Sequence, residues 1–499
     1  MKLSSLLLKI DRLSVIVFIA GAVVMVLELI GSRILAPYLG TSIYVWASLI
    51  GIILGALTIG YYLGGQFSKN NPSLEFLTKI LILAGLVILF ITIIKEPILL
   101  FSYQLGSKVG SIISTLILFA LPSLILGMVS PYAIRLKIND VAGSGKVAGN
   151  LYALSTIGSI FGTFLAGFYL IPTFGSTQML YGLSFILILT ALLVGKKIFK
   201  LTLLLIIVIL GIETNFLPSK FIYETDSAYN HIRVADANFG PNQDPIRILL
   251  LATESHSVKY KNSNKLFASY QKAYQLDNIF KPDIKTALTL GGGAYISPLD
   301  FLKRFPEAKM TVVEIDPKVT AVAKEYFDLE DDPRLNIIHE DARVFLNKNL
   351  IKYDVIYGDT FSSYFSIPFQ LTTTEAVEKI YNSLSDDGLF ILNLIASLEG
   401  KKSTFFKAEY NTIKKIFPQV YVFQVWYQQG KDLSKYQNIV LIATKDKNRL
   451  TLNELELKAS PEQKELLKLL WPKQIESFES TPILTDEFAP VDYYMSKML

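Results

Sequence analysis

Four stretches in the second half of the chain carry residue types and spacings that suit nucleoside binding. Gly291-Gly292-Gly293 follows one predicted strand, and Glu314, 23 residues after Gly291, ends the next. Glycines let the backbone approach a ligand, and an acid at this offset can accept hydrogen bonds from both ribose hydroxyls. Asp341 ends the third strand, where it could accept from an adenine amino group. Asp359 ends the fourth, next to where a reacting group would lie.

Taken singly, an acid at such a position is more often a solvated loop residue or a helix cap. A glycine-rich turn with acids at three successive strand ends is seldom accidental, so we predict a nucleoside site. The sequence contains no Gly-Lys-Ser or Gly-Lys-Thr, which excludes a P-loop that grips phosphates. The pattern therefore favours S-adenosylmethionine or a relative over a nucleotide.

Strand and helix patterns alternate along residues 266–499 and would bring these residues to one edge of a sheet. The alternation predicts a parallel sheet, and a closing strand pair is typical of a Rossmann-like, methyltransferase-type domain. Residues 218–265 are predicted to form a small β-layer before it. The predicted strands are 286–290, 310–313, 336–339, 353–357, 389–394, 421–427 and 438–444, and the predicted helices include 267–279 and 403–416.

Residues 1–217 are predicted to form a multi-span transmembrane domain of six to eight helices. The chain is 51% hydrophobic and only 18% charged, whereas soluble globular proteins carry about 25% charged residues. A membrane-spanning helix needs about 20 apolar residues. Apolar runs of about this length lie at 13–31, 43–64, 77–94, 109–130, 148–170, 176–195 and 198–217.

The basic residues predict the orientation of these spans. With a cytoplasmic N-terminus, eleven Lys and Arg residues of this half lie inside and three outside, as the positive-inside rule expects. A cytoplasmic C-terminal domain then requires an even number of spans. The weakest run, 198–217, could lie along the inner surface, or residues 95–107 could hide an extra short span.

Two features inside the apolar runs are candidates for helix contacts or a polar site. Gly158, Gly162 and Ala166 recur at a four-residue spacing that allows close helix packing. Glu28 and Arg33 are charges at membrane depth, which are costly and usually paired. They could form an internal polar site, or Arg33 could reach the membrane interface.

Composition excludes several classes of protein. The absence of cysteine rules out disulfides and cysteine-ligated metals. Residues 1–217 have 14 basic and 6 acidic residues, and residues 218–499 have 34 and 37. The basic excess therefore accompanies the apolar runs, and no nucleic-acid partner is expected.

Seven short motifs occur in a specific order and spacing along residues 222–445, although no single one is specific. They are Arg247-Ile248-Leu249-Leu250-Leu251, Leu290-Gly291-Gly292-Gly293, Val313-Glu314-Ile315-Asp316-Pro317, Asp332-Pro333-Arg334-Leu335, Glu340-Asp341-Ala342-Arg343, Tyr353-Asp354-Val355-Ile356 and Leu371-Thr372-Thr373. With these motifs, residues 222–445 resemble the spermidine/spermine synthase family of aminopropyltransferases. The whole chain, including Glu28 and Arg33 with Ala36-Pro37, is similar to the membrane-fused branch of that family.

The resemblance implies transfer of an aminopropyl group from decarboxylated S-adenosylmethionine to an amine, without a metal. Glu314 would hold the ribose, and Asp341 with Ala342 the adenine. Asp359 would lie at the amine, as a base or electrostatic partner. The sulfonium is already an excellent leaving group, so the enzyme has to position the amine and keep it unprotonated.

The chain departs from the family pattern mainly where the amines would bind. Where the family has an acid after the glycines, this chain has Ala294, and where the family has a second acid after the fourth strand, this chain has Ser362. His256, in a rewritten stretch, could serve as a base or be a polar residue at a strand end. The family's Asp-Gly-x-x-Gln stretch is replaced here by Ala252-Thr253-Glu254-Ser255-His256, and its Tyr-His-Glu stretch by Tyr270-Gln271-Lys272. An aromatic set follows Asp359 and could cover the sulfonium or pack as a structural lid; it comprises Tyr364, Phe365 and Phe369.

Three functions remain open from the sequence. The first is a membrane-bound aminopropyltransferase of polyamine biosynthesis. The second is a transferase that uses S-adenosylmethionine on a lipid or membrane-delivered acceptor, and the third is a transporter or sensor with a regulatory nucleoside domain. We expect a multi-pass protein of the cell membrane with its C-terminal domain in the cytoplasm, in contact with the lipid bilayer, and we leave a homodimer open.

Overall fold

The computed structural model describes residues 11–138, 140–194, 221–252, 254–360, 368–400, 402–425, 432–472 and 477–496. The contacts divide the chain into two compact units. One comprises 1–220 with 225–228, and the other comprises 221–224 with 229–499.

The first unit is helical. Its described residues, 11–138 and 140–194, contain five helical stretches long and apolar enough to cross a membrane, and a shorter sixth apolar helix over Ser176–Leu192. The helices are Arg12–Leu39, Ile43–Phe67, Leu74–Gln104, Gly106–Thr115, Leu121–Gly127, Val129–Lys137, Ser144–Leu165, Ile171–Thr173 and Ser176–Val194, with π-helical turns at Leu116–Ala120 and Ala166–Leu170. Each π-helical turn lies just before a proline, Pro122 or Pro172, whose missing N–H disturbs the regular hydrogen-bond ladder.

Small residues allow a close contact between helices Arg12–Leu39 and Ser144–Leu165. A Cβ added to Gly158 would lie 2.1 Å from the carbonyl oxygen of Phe18, and one on Gly162 would lie 2.4 Å from that of Ala22. Ala166 is fully buried. The predicted packing role of this stripe is confirmed, because any larger side chain would push helix Ser144–Leu165 away from helix Arg12–Leu39.

One sequence expectation for the first unit is wrong, and another falls outside the described residues. Residues 95–104 continue the third helix, so they form no separate span, and Pro97 lies inside that helix. The run 198–217 lies outside the described residues.

Arg33 donates a hydrogen bond to the backbone carbonyl of Ser227, a residue that belongs to the same unit.

After the helices, the chain forms a four-stranded sheet in the order β1-β2-β3-β4. Strands β2 and β3, and β3 and β4, pair antiparallel. These strands are β1 Tyr223–Asp226, β2 His231–Phe239, β3 Asp244–Leu251 and β4 Glu254–Tyr260.

A seven-stranded sheet follows, in the order β10-β11-β9-β8-β5-β6-β7. Strands β9, β8, β5, β6 and β7 run parallel, and β11 pairs antiparallel with both β9 and β10. The predicted Rossmann-like sheet with a closing strand pair is confirmed. Its strands are β5 Thr286–Leu290, β6 Lys309–Val313, β7 Leu335–Ile338, β8 Tyr353–Gly358, β9 Leu384–Ala396, β10 Gln419–Gln424 and β11 Gln437–Thr444.

Helices cover this sheet, and one predicted helix is wrong. The expected helix 267–279 is broken into Ser269–Tyr274 and Asp277–Phe280. The break accompanies the burial of Asp277, whose carboxylate accepts two hydrogen bonds from Arg304 at 2.7 and 2.8 Å. The other helices are Ile296–Arg304, Pro317–Tyr326, Ala342–Lys348, Thr374–Asn382, Thr404–Ile416, Leu452–Lys458, Pro461–Leu467 and Val491–Ser496.

Candidate functional site

The glycine turn after β5 packs tightly against the end of β8. Gly291 has a φ of +93°, which disfavours any side chain, and an added Cβ would lie 2.4 Å from the backbone carbonyl oxygen of Asp359. Gly293 has a φ of +50°. The backbone N–H of Asp359 donates to the carbonyl of Leu290 at 3.0 Å. The glycines therefore bring the turn and Asp359 together.

We predict that Gly291→Ala destabilises the second unit strongly. The methyl group meets backbone atoms that cannot rotate away, in addition to the strain of a positive φ. The expected loss is at least about 2 kcal/mol. Thermal unfolding of the full chain in detergent measures it. Gly400→Ala is the matched control, because Gly400 also has a positive φ but its Cβ would meet only an ordinary 3.5 Å contact. Equal losses in the two variants would contradict the close approach.

Glu314, at the end of β6, holds this turn. One carboxylate oxygen accepts from the N–H of Gly292 at 2.8 Å and more weakly from that of Gly293 at 3.4 Å. The other accepts from the N–H of Asp316 at 2.9 Å. Burial raises the pKa of Glu314, and these backbone donors oppose that shift. The carboxylate is thus fixed beside the glycines, with lone pairs left for a ligand.

Asp341 is a helix cap in the structure. Its Oδ1 accepts from the N–H groups of Arg343 and Val344 at 2.8 and 3.0 Å, at the start of helix Ala342–Lys348. Ala342 is 8% exposed. This cap is the simpler of the two sequence interpretations, and it leaves Oδ2 for the predicted adenine contact. Adenine binding by Asp341 and Ala342 stays a prediction.

Asp359 lies where three elements converge. Asn393, on β9, donates its Nδ2–H to Asp359 Oδ1 at 3.0 Å. Tyr270 and Tyr274 approach from helix Ser269–Tyr274. Both tyrosines lie close enough to lower the pKa of the carboxylate, and the Tyr274 hydroxyl has no hydrogen-bond partner among the described residues.

Burial raises the pKa of Asp359 to about 6, while the hydrogen bond from Asn393 and the nearby hydroxyl groups of the two tyrosines act in the opposite direction. The pKa values of Tyr270 and Tyr274 are raised well above the usual value by burial and by the nearby carboxylate. Both tyrosines are therefore neutral donors at pH 7. A mostly ionised carboxylate among neutral donors can attract an ammonium group or accept a proton from it.

His256 is the extra residue of a β-bulge. Leu249 of β3 pairs with Ser257, and Leu250 pairs with Ser255, so His256 has no direct partner across the strands. Its Nε2 is buried without a hydrogen-bond partner among the described residues. Burial lowers the pKa of His256 to about 4, so the imidazole is neutral at pH 7. Bulges commonly re-aim a side chain beside an active site.

The bulge borders the glycine turn through the next residue. Ser257 Oγ accepts a hydrogen bond from the N–H of Ala294 at 3.2 Å, and a Cβ on Gly293 would lie 3.0 Å from the same oxygen. Ala294 is fully buried. The structure thus groups Gly291, Gly292, Gly293, Glu314 and Asp359, and places β4 beside them. A catalytic role for His256 stays a prediction.

Sequence reasoning missed the residues that surround the Asp359 carboxylate. Tyr270 and Tyr274 are four positions apart, which places both on one helix face. Asn393 interrupts an otherwise apolar strand, Leu389–Ala396. Both signals are visible in the sequence, but neither indicates which acid they face. Of the aromatic set, Phe369 is 51% exposed, and Tyr364 and Phe365 lie outside the described residues.

Residues 274–447 match the family model of the spermine/spermidine synthase domain. A polyamine aminopropyltransferase from Vibrio vulnificus is 25% identical over 288 residues, which cover 55% of this chain and 91% of that protein. A probable spermidine synthase of known structure from Corynebacterium glutamicum is 19% identical, with a TM-score of 0.43, over 54% of this chain and 97% of that one.

One relative is also similar outside the second unit. Polyamine aminopropyltransferase 2 from Aquifex aeolicus is 25% identical over 449 residues, which cover 81% of this chain and 82% of that protein. So long an alignment cannot fit within residues 218–499 and extends into the helical unit. Residues 274–447 therefore carry a spermine/spermidine synthase domain, a domain of transferases, and an apolar helical region lies in front of it.

Proposed function

We propose that this protein is a membrane-bound aminopropyltransferase that uses decarboxylated S-adenosylmethionine and an amine. The observation that carries the proposal is the Asp359 carboxylate, held next to the glycine turn by neutral donors. The donor's ribose would bind Glu314, which already anchors that turn. The amine would lie at Asp359, within reach of the donor's reacting carbon.

The proposed step is an in-line displacement. The lone pair of the amine nitrogen attacks the carbon next to the sulfonium, and a C–N bond forms as the C–S bond breaks. The bonding pair returns to sulfur, which gives neutral methylthioadenosine. The new secondary ammonium then loses a proton, which Asp359 can accept or stabilise. His256, as a neutral imidazole, is a second candidate base.

One observation favours an alternative donor. The position after the glycines, where the family resemblance implies an acid for the donor's amine, is the fully buried Ala294, whose N–H is already bound by Ser257. Without that acid, a donor that keeps its carboxylate meets no repulsion there. The alternative function is therefore transfer from S-adenosylmethionine itself to a lipid or membrane-delivered acceptor.

Product analysis separates the two functions. Purified full-length protein is incubated with either donor and a short aliphatic diamine, with Asp359→Asn as the control of strongly reduced activity. Methylthioadenosine formed only from the decarboxylated donor, and only when the amine is present, supports aminopropyl transfer. S-adenosylhomocysteine formed from S-adenosylmethionine supports the alternative. No amine-dependent product from either donor would contradict the proposal.

The proposal also requires residues 218–499 to face the cytosol, where both donors are made. We predict that a cysteine at the highly exposed Leu350, or at Lys200, resists a membrane-impermeant thiol reagent in intact cells and reacts after permeabilisation. The natural chain has no cysteine, so each label is unambiguous. Lys108→Cys, which the charge count places outside, is the control and should react in intact cells. Labelling of Leu350→Cys from outside would exclude a cytosolic transferase.

A further inference from the structure

A chain of two amides crosses the sheet and ends on Asp359. Asn438 of β11 donates its Nδ2–H to Asn393 Oδ1 of β9 at 2.9 Å. Asn393 in turn donates its own Nδ2–H to Asp359 Oδ1 at 3.0 Å. Asn438 and Asn393 lie on adjacent strands, and Asp359 directly follows β8, the other neighbour of β9.

The direction of this chain follows from its end. An ionised carboxylate can only accept hydrogen bonds, so the NH₂ group of Asn393 must face Asp359. The carbonyl of Asn393 must then face Asn438, which supplies the donor it needs. Asn393 is 3% exposed, so water cannot replace either partner freely. Both hydrogen-bonding ends of this buried amide are satisfied, which is the condition for keeping a polar group in an apolar strand.

We propose that Asn393 and Asn438 are positioning residues for Asp359. Asn393 fixes one carboxylate oxygen and favours the ionised form, and Asn438 prevents the Asn393 amide from flipping. A flipped amide would direct its carbonyl oxygen at the carboxylate and repel it. This role rests on the proposed function in one respect only, which is the identity of the reaction in which Asp359 takes part.

Within the part of the chain that the structure describes, the groups that face Asp359 come from three directions. Tyr270 and Tyr274 lie on helix Ser269–Tyr274, and Asn393 lies on β9. The glycine turn contributes backbone at Gly291. The tyrosines stay protonated across the useful pH range, since burial and the carboxylate raise their pKa values. A change at Asn393 is therefore read out as a change in the titration of Asp359 itself.

The test is the pH dependence of kcat/KM in single variants. Loss of a hydrogen bond to a charged group corresponds to a rise of about one to two units in the pKa of the acceptor. The acid limb is the fall of kcat/KM at low pH. Asn393→Leu should therefore raise the midpoint of this limb by about that amount, and the variant should lose more activity at pH 7 than at pH 9. Asn438→Leu should give a smaller shift in the same direction. Asn448→Ala, an exposed residue beyond β11, should give none.

A double variant tests the order of the chain. If Asn438 acts only through Asn393, the shift in Asn393→Leu/Asn438→Leu should equal that of Asn393→Leu alone. If the shifts of the two single variants add up in the double variant, Asn438 does not act through Asn393, and the proposed order is overturned. If Asn393→Leu fails to fold, Asn438→Leu carries the test, and an unchanged acid limb there would overturn the proposal.

A readout without turnover separates this proposal from the proposed function. The infrared band of the protonated Asp359 carboxyl, identified by its absence in Asp359→Asn, titrates with the pKa of that group. A shift of this titration in the Asn variants supports the positioning role even if neither donor is turned over. An unshifted titration in folded Asn393→Leu overturns it, whatever the reaction proves to be.

Discussion

Replacing Asp359 with asparagine should lower turnover by about 100-fold or more, with little change in donor affinity. Asparagine has nearly the same shape and can still accept the hydrogen bond from Asn393. It carries no negative charge and cannot take a proton from the acceptor. Steady-state kinetics and calorimetry of donor binding measure the two effects. An equal loss of donor affinity would make Asp359 a donor-binding residue instead.

The native enzyme should show a matching pH dependence. Because burial raises the pKa of Asp359 to about 6, kcat/KM should be about tenfold lower at pH 5 than at pH 7. This acid limb should be absent from the residual activity of Asp359→Asn. Asp354→Asn is a suitable control, since Asp354 lies at the opposite end of β8. It should keep the activity and the acid limb.

The same raised pKa predicts that lost activity in Asp359→Asn is not caused by unfolding. A carboxyl with a higher pKa in the folded state than in the unfolded state costs folding free energy as the pH rises from about 4 to about 6. Above pH 6 the native protein bears this cost in full, and the asparagine variant does not. The variant should therefore be at least as stable as the native protein at pH 7–8 in thermal unfolding.

Glu314→Ala should weaken donor binding by about 1.5–3 kcal/mol, or roughly 10- to 150-fold. The carboxylate would bind ribose, and it also receives hydrogen bonds from Gly292 and Asp316. Its removal therefore loses ligand contacts and leaves buried backbone N–H groups of the turn without their acceptor. Calorimetry with each donor measures the effect.

A neighbouring glutamate provides the control. Glu340, after β7, forms a surface ion pair with Lys348 at 2.7 Å, and Glu340→Ala should leave donor affinity nearly unchanged because such pairs contribute little. Unchanged affinity in Glu314→Ala would contradict its assignment to the nucleoside. The donor affinity of Glu314→Gln should lie between those of Glu314→Ala and Glu340→Ala, because the amide keeps one acceptor oxygen but turns a donor toward backbone N–H groups.

The sequence alone determined the features that depend on near neighbours in the chain. Alternation of apolar strands with amphipathic helices predicts the parallel sheet, and the position of Gly291 directly after β5 predicts the turn. Acids that end parallel strands must gather at one edge, so Glu314 and Asp359 were placed correctly near the glycines. The stripe of Gly158 and Gly162 was also readable, because a four-residue period directs both to one face.

The tertiary structure alone decided how Asp359 is surrounded and how its charge behaves. Tyr270 and Asn393 approach its carboxylate from separate elements, and Asn438 contacts Asn393 from a third. Local sequence patterns do not encode the strand order that makes β9 the neighbour of both β8 and β11. The bulge that isolates His256 and the break that buries Asp277 likewise arise from pairing and ion contacts with distant residues. Hydrophobic period specifies which face of an element is buried, but only packing specifies which polar groups meet.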